Sequence, residues 1–224
     1  MILFGLKNIK NMIIIIILFL ALCFNIAESE ENTSSSPPKD HSRDSNISSN
    51  FSANVSTTVC SKYIWRGQLI NDERVIQPDI SLKYKGFSIS FWSNIDLTDE
   101  NENSGEFTEY DWTFSYEGKI PSTEIIGYSI GAIYYAFPEN IPDTIELFGS
   151  LSLDIFLNPE IIIYRDIDEY DGIYASFGLS HEFEKKLQLN PNIPVGLTLY
   201  GNIGWGDNKY NKAYWSGYED NAFN

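Results

Sequence analysis

Phe87, Ile89, Phe91, Ile95 and Leu97 alternate with Ser88, Ser90, Trp92, Asn94 and Asp96, and the same two-residue rhythm returns in segment after segment as far as Trp205. Successive side chains of a β-strand point to opposite faces, so a chain written this way sets an apolar face against a polar one along a whole sheet. A membrane β-barrel needs that pattern, with lipid on one side and an aqueous lumen on the other. In the first strand Phe51, Ala53, Val55, Val59, Tyr63 and Trp65 are expected to face out, against Asn54, Ser56, Thr58, Cys60, Lys62 and Arg66. Later strands repeat the division: Ile80, Leu82 and Tyr84 against Asp79, Ser81 and Lys83; Tyr110, Trp112 and Phe114 against Glu109, Asp111 and Thr113; Ile145, Leu147 and Leu151 against Glu146, Ser150 and Asp154; Phe177 and Leu179 against Tyr174 and Ser176; Leu199, Ile203 and Trp205 against Tyr200 and Asn202.

A soluble sandwich also alternates, but its strands usually run about 5 or 6 residues, whereas these run about 9 to 13, long enough to cross a bilayer when tilted. Tyr63, Trp65, Tyr84, Tyr110, Tyr116 and Trp205 fall near expected strand ends, where an interfacial aromatic girdle belongs. Short breaks at 85–86, 117–122 and 158–159 alternate with polar loops at 67–74, 99–105, 137–143, 166–171 and 206–211. The expected fold is therefore all-β: an antiparallel up-and-down transmembrane barrel of about ten strands over residues 51–224.

The composition agrees. Of 224 residues 43% are hydrophobic and 15% aromatic, too apolar for disorder, and polar residues interrupt the sequence too evenly for membrane helices. A net charge of −16 argues against a nucleic-acid partner, which requires clusters of Lys and Arg. Cys23 and Cys60 are the two cysteines, one in the leader and one beyond it, so neither an internal disulfide of the mature chain nor a thiolate metal site is expected. No cofactor is expected.

Lys7 and Lys10 precede an apolar run over residues 12–24, the length of a secretory core rather than of a spanning helix. Residues 1–27 read as a signal peptide, and residues 28–50, rich in Ser, Asn, Pro and acids, as a disordered periplasmic linker.

The run Ser61-Lys62-Tyr63-Ile64-Trp65-Arg66-Gly67, then Gln77-Pro78, then Trp92-Ser93-Asn94-Ile95-Asp96, resembles the opening of the TorF family of porins. Further likeness lies in Gly131-Ala132-Ile133-Tyr134-Tyr135 with Pro138 and in Ile145-Glu146-Leu147-Phe148-Gly149. The resemblance implies an outer-membrane barrel, and with it outer-membrane lipid and the barrel-assembly machinery as partners. It brings no catalytic or ligand residues. Such barrels usually end on a strand with a terminal aromatic, whereas this chain ends Ala222-Phe223-Asn224, so a barrel of about twelve strands is expected if the C-terminus is truncated.

On this register Lys62, Arg66, Lys83, Glu109, Asp111, Glu146 and Asp154 line the pore, and their slight acidic excess favours small hydrophilic solutes or cations. Asp99, Glu100, Glu102 and Glu106, with Asp166, Asp168, Glu169 and Asp171, form an acidic extracellular rim without the spacing of a dedicated Ca²⁺ loop. His181, expected on the outward face, has no nucleophile partner, so no enzyme is expected. The expected function is passive diffusion of small solutes across the outer membrane; the alternative is a non-conducting barrel with a structural or adhesive role.

Overall fold

The alternating segments assemble into one antiparallel sheet in the computed structural model, which describes residues 51–138, 141–190, 193–215 and 222–223. The expected signal peptide and linker lie outside the described residues. In chain order the elements are β1 (Phe51–Cys60), the short β2 (Tyr63–Trp65) and β3 (Gln68–Asn71), β4 (Val75–Tyr84), β5 (Phe87–Asp96), β6 (Phe107–Lys119), β7 (Ile126–Ala136), β8 (Thr144–Leu153), β9 (Glu160–Asp166), β10 (Ile173–Asn190), β11 (Ile193–Gly206), a helix α1 (Asn208–Tyr214) and a two-residue β12 (Ala222–Phe223). The sheet runs up and down in the order β1-β4-β5-β6-β7-β8-β9-β10-β11, with β12 bridging to the end of β11.

Among the described residues nine long strands and the two-residue β12 make up the sheet, against about ten strands expected, and residues 206–211, expected as a loop, run from the end of β11 into α1. Among the described residues no ladder joins β1 to the opposite edge, so the sheet is open.

Register keeps the two faces apart. Ser81 opposes Ser90, Ser90 opposes Thr113, Ser115 opposes Gly131 and Ser129 opposes Ser150, each pair drawn from the polar face. A slip of one residue would mix the faces along the whole strand. On β10 Tyr174 and Ser176 are 3% and 8% exposed, whereas Phe177 and Leu179 are 46% and 38% exposed. Val55, Ile80, Leu82, Ile130, Leu147, Leu151, Ile163 and Ile203 are exposed on the apolar face, while Asn94, Glu109 and Glu146 are buried on the polar one. This is the reverse of what water selects.

Two departures from the expected strands matter. β1 stops at Cys60, so Tyr63 and Trp65 are not girdle residues of that strand: they belong to the β2–β3 hairpin, where Tyr63 is buried. Ile145, expected outward, is also buried, beside the 167–172 loop whose Ile167 N–H donates to its carbonyl. Pro78, with no N–H to give, sits where the β4–β5 ladder skips two residues, and the Gln77 amide donates instead to Asn94 Oδ1 at 3.1 Å.

Gly131 lies under the inward ring of Phe148. A Cβ there would stand 2.4 Å from the Phe114 carbonyl and 2.6 Å from the Phe148 ring. Gly131→Ala is expected to destabilise the fold by about 1–3 kcal/mol through overpacking, read as a lower urea midpoint by tryptophan fluorescence.

Candidate functional site

The β2–β3 hairpin turns on Arg66 and Gly67, whose φ values of 47° and 82° make the two-residue turn that matches strand twist. A side chain held in the left-handed region costs about 1–2 kcal/mol, so its surroundings must hold it there. They do so through the guanidinium. Arg66 donates to both carboxylate oxygens of Glu146, at 2.8 and 2.6 Å, and Glu146 also accepts from the Tyr135 hydroxyl at 2.9 Å. The faces of Tyr164, Trp65, Tyr174 and Tyr210 surround the same group, with centroids 4.1, 4.4, 4.7 and 5.9 Å away.

Burial alone would lower the hold of Arg66 on its proton. The hydrogen bonds and charge of Glu146 outweigh it and keep the guanidinium charged. The Glu146 side chain is 1% exposed and that of Arg66 10%, so a weakly hydrated, planar cation meets a bidentate carboxylate largely out of water.

Tyr135, Glu146, Tyr164 and Tyr174 stand on β7, β8, β9 and β10, four adjacent strands. In a flat sheet the outer two would be roughly 14 Å apart, three strand spacings. One guanidinium reaches all four, so the polar face curls around it. Tyr63 extends the reach: its hydroxyl donates to Glu109 Oε2 on β6 at 2.8 Å, and its ring lies 5.7 Å from that of Trp92 on β5. Burial, then the neighbouring Glu109 charge, pushes the Tyr63 hydroxyl far above the usual phenol range, so it remains a donor.

Helix α1 covers this cluster. Asp207 caps it by accepting from the Tyr210 N–H at 2.8 Å, and the Tyr210 and Tyr214 rings pack on Trp65. Outside, Asp171 pairs with Lys209 of α1 and with Arg165 of β9, and these contacts hold its carboxyl below the usual range. Between the hairpin, β6–β8 and α1 lies a cavity of about 270 Å³, walled by Tyr63, Trp65, Tyr135, Phe137, Tyr170 and Tyr214, with Gln68, Glu109 and Thr144 as its polar groups.

The residues expected to line a pore therefore separate into three places. Arg66, Glu109, Asp111 and Glu146 converge on the interior near the loop end. Lys83 and Asp154 sit at the short-turn end in exposed pairs with Glu117 and Lys119. Lys62 is on the bend after β1, exposed and paired with Asp72, so the inward position expected for it is corrected. Of the expected rim, Asp99, Glu100, Glu102, Glu106 and Glu169 are exposed. Asp168 is half-buried, and Asp166 is buried. Asp166 accepts from the N–H groups of Asp168, Tyr170 and Asp171 and from Thr144, so it shapes the loop rather than facing solvent. His181 lies on the outward face of β10, its ring 4.9 Å from those of Phe156 and Phe183.

Sequence reasoning missed the cage. Tyr135, Tyr164 and Tyr174 share one signal that could have found it: each is an aromatic residue at an inward position near the loop end of its strand.

Glu146→Gln leaves Arg66 buried without its counter-charge and is expected to cost about 3–5 kcal/mol. The double variant Arg66→Met with Glu146→Leu is expected to be less destabilised than Glu146→Gln, because no lone charge remains. Urea unfolding of the variants in one detergent measures both.

A family model described as a bacterial protein of unknown function (Gcw_chp) matches residues 43–221. No curated protein and no solved structure matches the chain.

Proposed function

The chain belongs to the Gcw_chp family of bacterial proteins of unknown function, and we propose that it is an outer-membrane β-barrel, lipid against its apolar face, whose polar interior is stoppered at the loop end by the Arg66 hairpin. On this reading it is non-conducting at rest and acts by what its outer end holds. The observation that carries the reading is the inverted polarity of the sheet: Leu147 and Leu151 are exposed on the same strand on which Glu146 is buried. Water would penalise that arrangement, whereas hydrocarbon favours it. The leader expected over residues 1–27 and the resemblance of the opening segment to TorF porins support the same location. Partners in this view are outer-membrane lipid and the barrel-assembly machinery. Closure requires a neighbour for the free edge of β1, since unpaired N–H and C=O groups are costly in lipid.

The stopper rests on reach. One hairpin touches inward residues on every strand from β5 to β10. An open porin for small solutes and cations is the second reading, favoured by the small hydroxyls that line the polar face toward the short turns, among them Ser81, Ser88, Ser90, Ser115, Ser150 and Ser152. No catalytic role is proposed.

Leu151→Arg is expected to cost about 2–4 kcal/mol and impair membrane assembly, while Ser152→Arg is tolerated. Equal tolerance, measured by the heat-modifiable band on a gel, would contradict lipid embedding. In planar bilayers the wild-type protein is expected to give no steady open-pore current, and replacing residues 63–71 by a short Gly-Ser turn is expected to produce one. Large steady currents from the wild type would favour the open porin instead.

A further inference from the structure

Arg66 and Glu146 satisfy one another, which leaves Glu109 and Asp111, two positions apart on the same inward face of β6, without a basic partner among the described ion pairs. Glu109 is buried at the wall of the 270 Å³ cavity, and its recorded partner is the neutral Tyr63 hydroxyl. Asp111 has a buried oxygen, Oδ1, with no hydrogen-bond partner among the described residues. The Gln68 amide nitrogen, on the wall of the same cavity, is likewise buried and has no hydrogen-bond acceptor among the described residues. The remaining wall is chiefly aromatic: Tyr63, Trp65, Tyr135 and Tyr214.

These features select a ligand class. Ring faces attract a cation through their quadrupole, most strongly where water is excluded, and an uncompensated carboxylate adds charge attraction. An unpartnered N–H donor calls for an acceptor on the ligand, because leaving it empty costs the desolvation of that group. The chain already holds one cation this way: Arg66 lies among aromatic faces next door, and its cage shares Trp65 and Tyr135 with the cavity.

We infer that this cavity binds a small organic ammonium ion carrying a hydroxyl or carbonyl oxygen, with the ammonium group against Glu109 and the faces of Tyr63, Trp65 and Tyr214 and the oxygen on the Gln68 amide. A metal ion is a poor fit, because the wall offers one carboxylate among rings rather than several oxygens. The site needs only the folded chain, so its test stands apart from membrane insertion and conductance.

The experiment is a titration of the full-length protein in detergent, followed by tryptophan fluorescence, with choline as the probe. Its control is 3,3-dimethyl-1-butanol, which has choline's shape without the charge. Saturable binding of choline is expected, weakened about tenfold or more for the neutral alcohol. Glu109→Gln keeps an acceptor for Tyr63 while removing the charge, and a loss of about tenfold in choline affinity is expected. Gln68→Ala should weaken choline more than tetramethylammonium, which lacks the oxygen. Equal binding of choline and its neutral analogue, or no saturable response from a protein shown to be folded by its heat-modifiable band, would overturn the inference.

Discussion

A guanidinium out of water must be matched or the fold around it fails, and the pairing of Arg66 with Glu146 is the match on which this interior is arranged. Glu146 supplies both oxygens, Tyr135 steadies the carboxylate, and four rings cover the remaining faces of the cation. Because these groups come from β7–β10, from the hairpin and from α1, the pair ties the curvature of the sheet to the placement of two elements outside it. The backbone strain at Arg66 fits this arrangement: a left-handed residue at the hairpin tip is tolerable where its side chain is so fully committed.

A polar interior of this kind has a counterpart outside. The sheet hides carboxylates, amides and hydroxyls on one face and presents Val, Leu, Ile and Phe on the other. The two facts belong together, since a period of two sends every inward polar residue a neighbour facing out. Toward the short turns the inward residues are mostly serines and the charges are exposed pairs. Toward the loops the interior fills with rings, and the cavity with Glu109 at its wall lies there. In the proposed barrel, binding is therefore a property of the loop end, and passage a property of whether the hairpin stays in place.

Much of this was legible in the sequence because alternation is a direct record of which way each side chain points. The inward set Glu109, Asp111, Glu146, Ser150, Tyr174 and Ser176 follows from parity alone, and the ladders pair those residues as parity requires. The hairpin was not legible. Tyr63 and Trp65 continue the rhythm of β1, so nothing local marks the bend at 61–62 that turns them inward, and Arg66 reads as a strand end rather than a turn residue. Helix α1 is only seven residues long and begins inside a polar stretch, with Asp207 as its one sequence signal. Asp166 was misplaced at the rim because composition cannot distinguish a carboxylate that faces water from one that collects loop N–H groups.

The proposed barrel requires its apolar face to meet lipid while its polar face curls inward. A nitroxide scan along β10, one label at a time from Ile173 to Ser180 in bilayers and in a Cys23→Ser, Cys60→Ser background, tests it most directly. Oxygen, which dissolves in lipid, should relax labels at 173, 175, 177 and 179, and a water-soluble nickel chelate should not reach them; labels at 174, 176, 178 and 180 should show the opposite or no access to either. Uniform access of the nickel chelate to the odd positions would place that face in water and contradict the account.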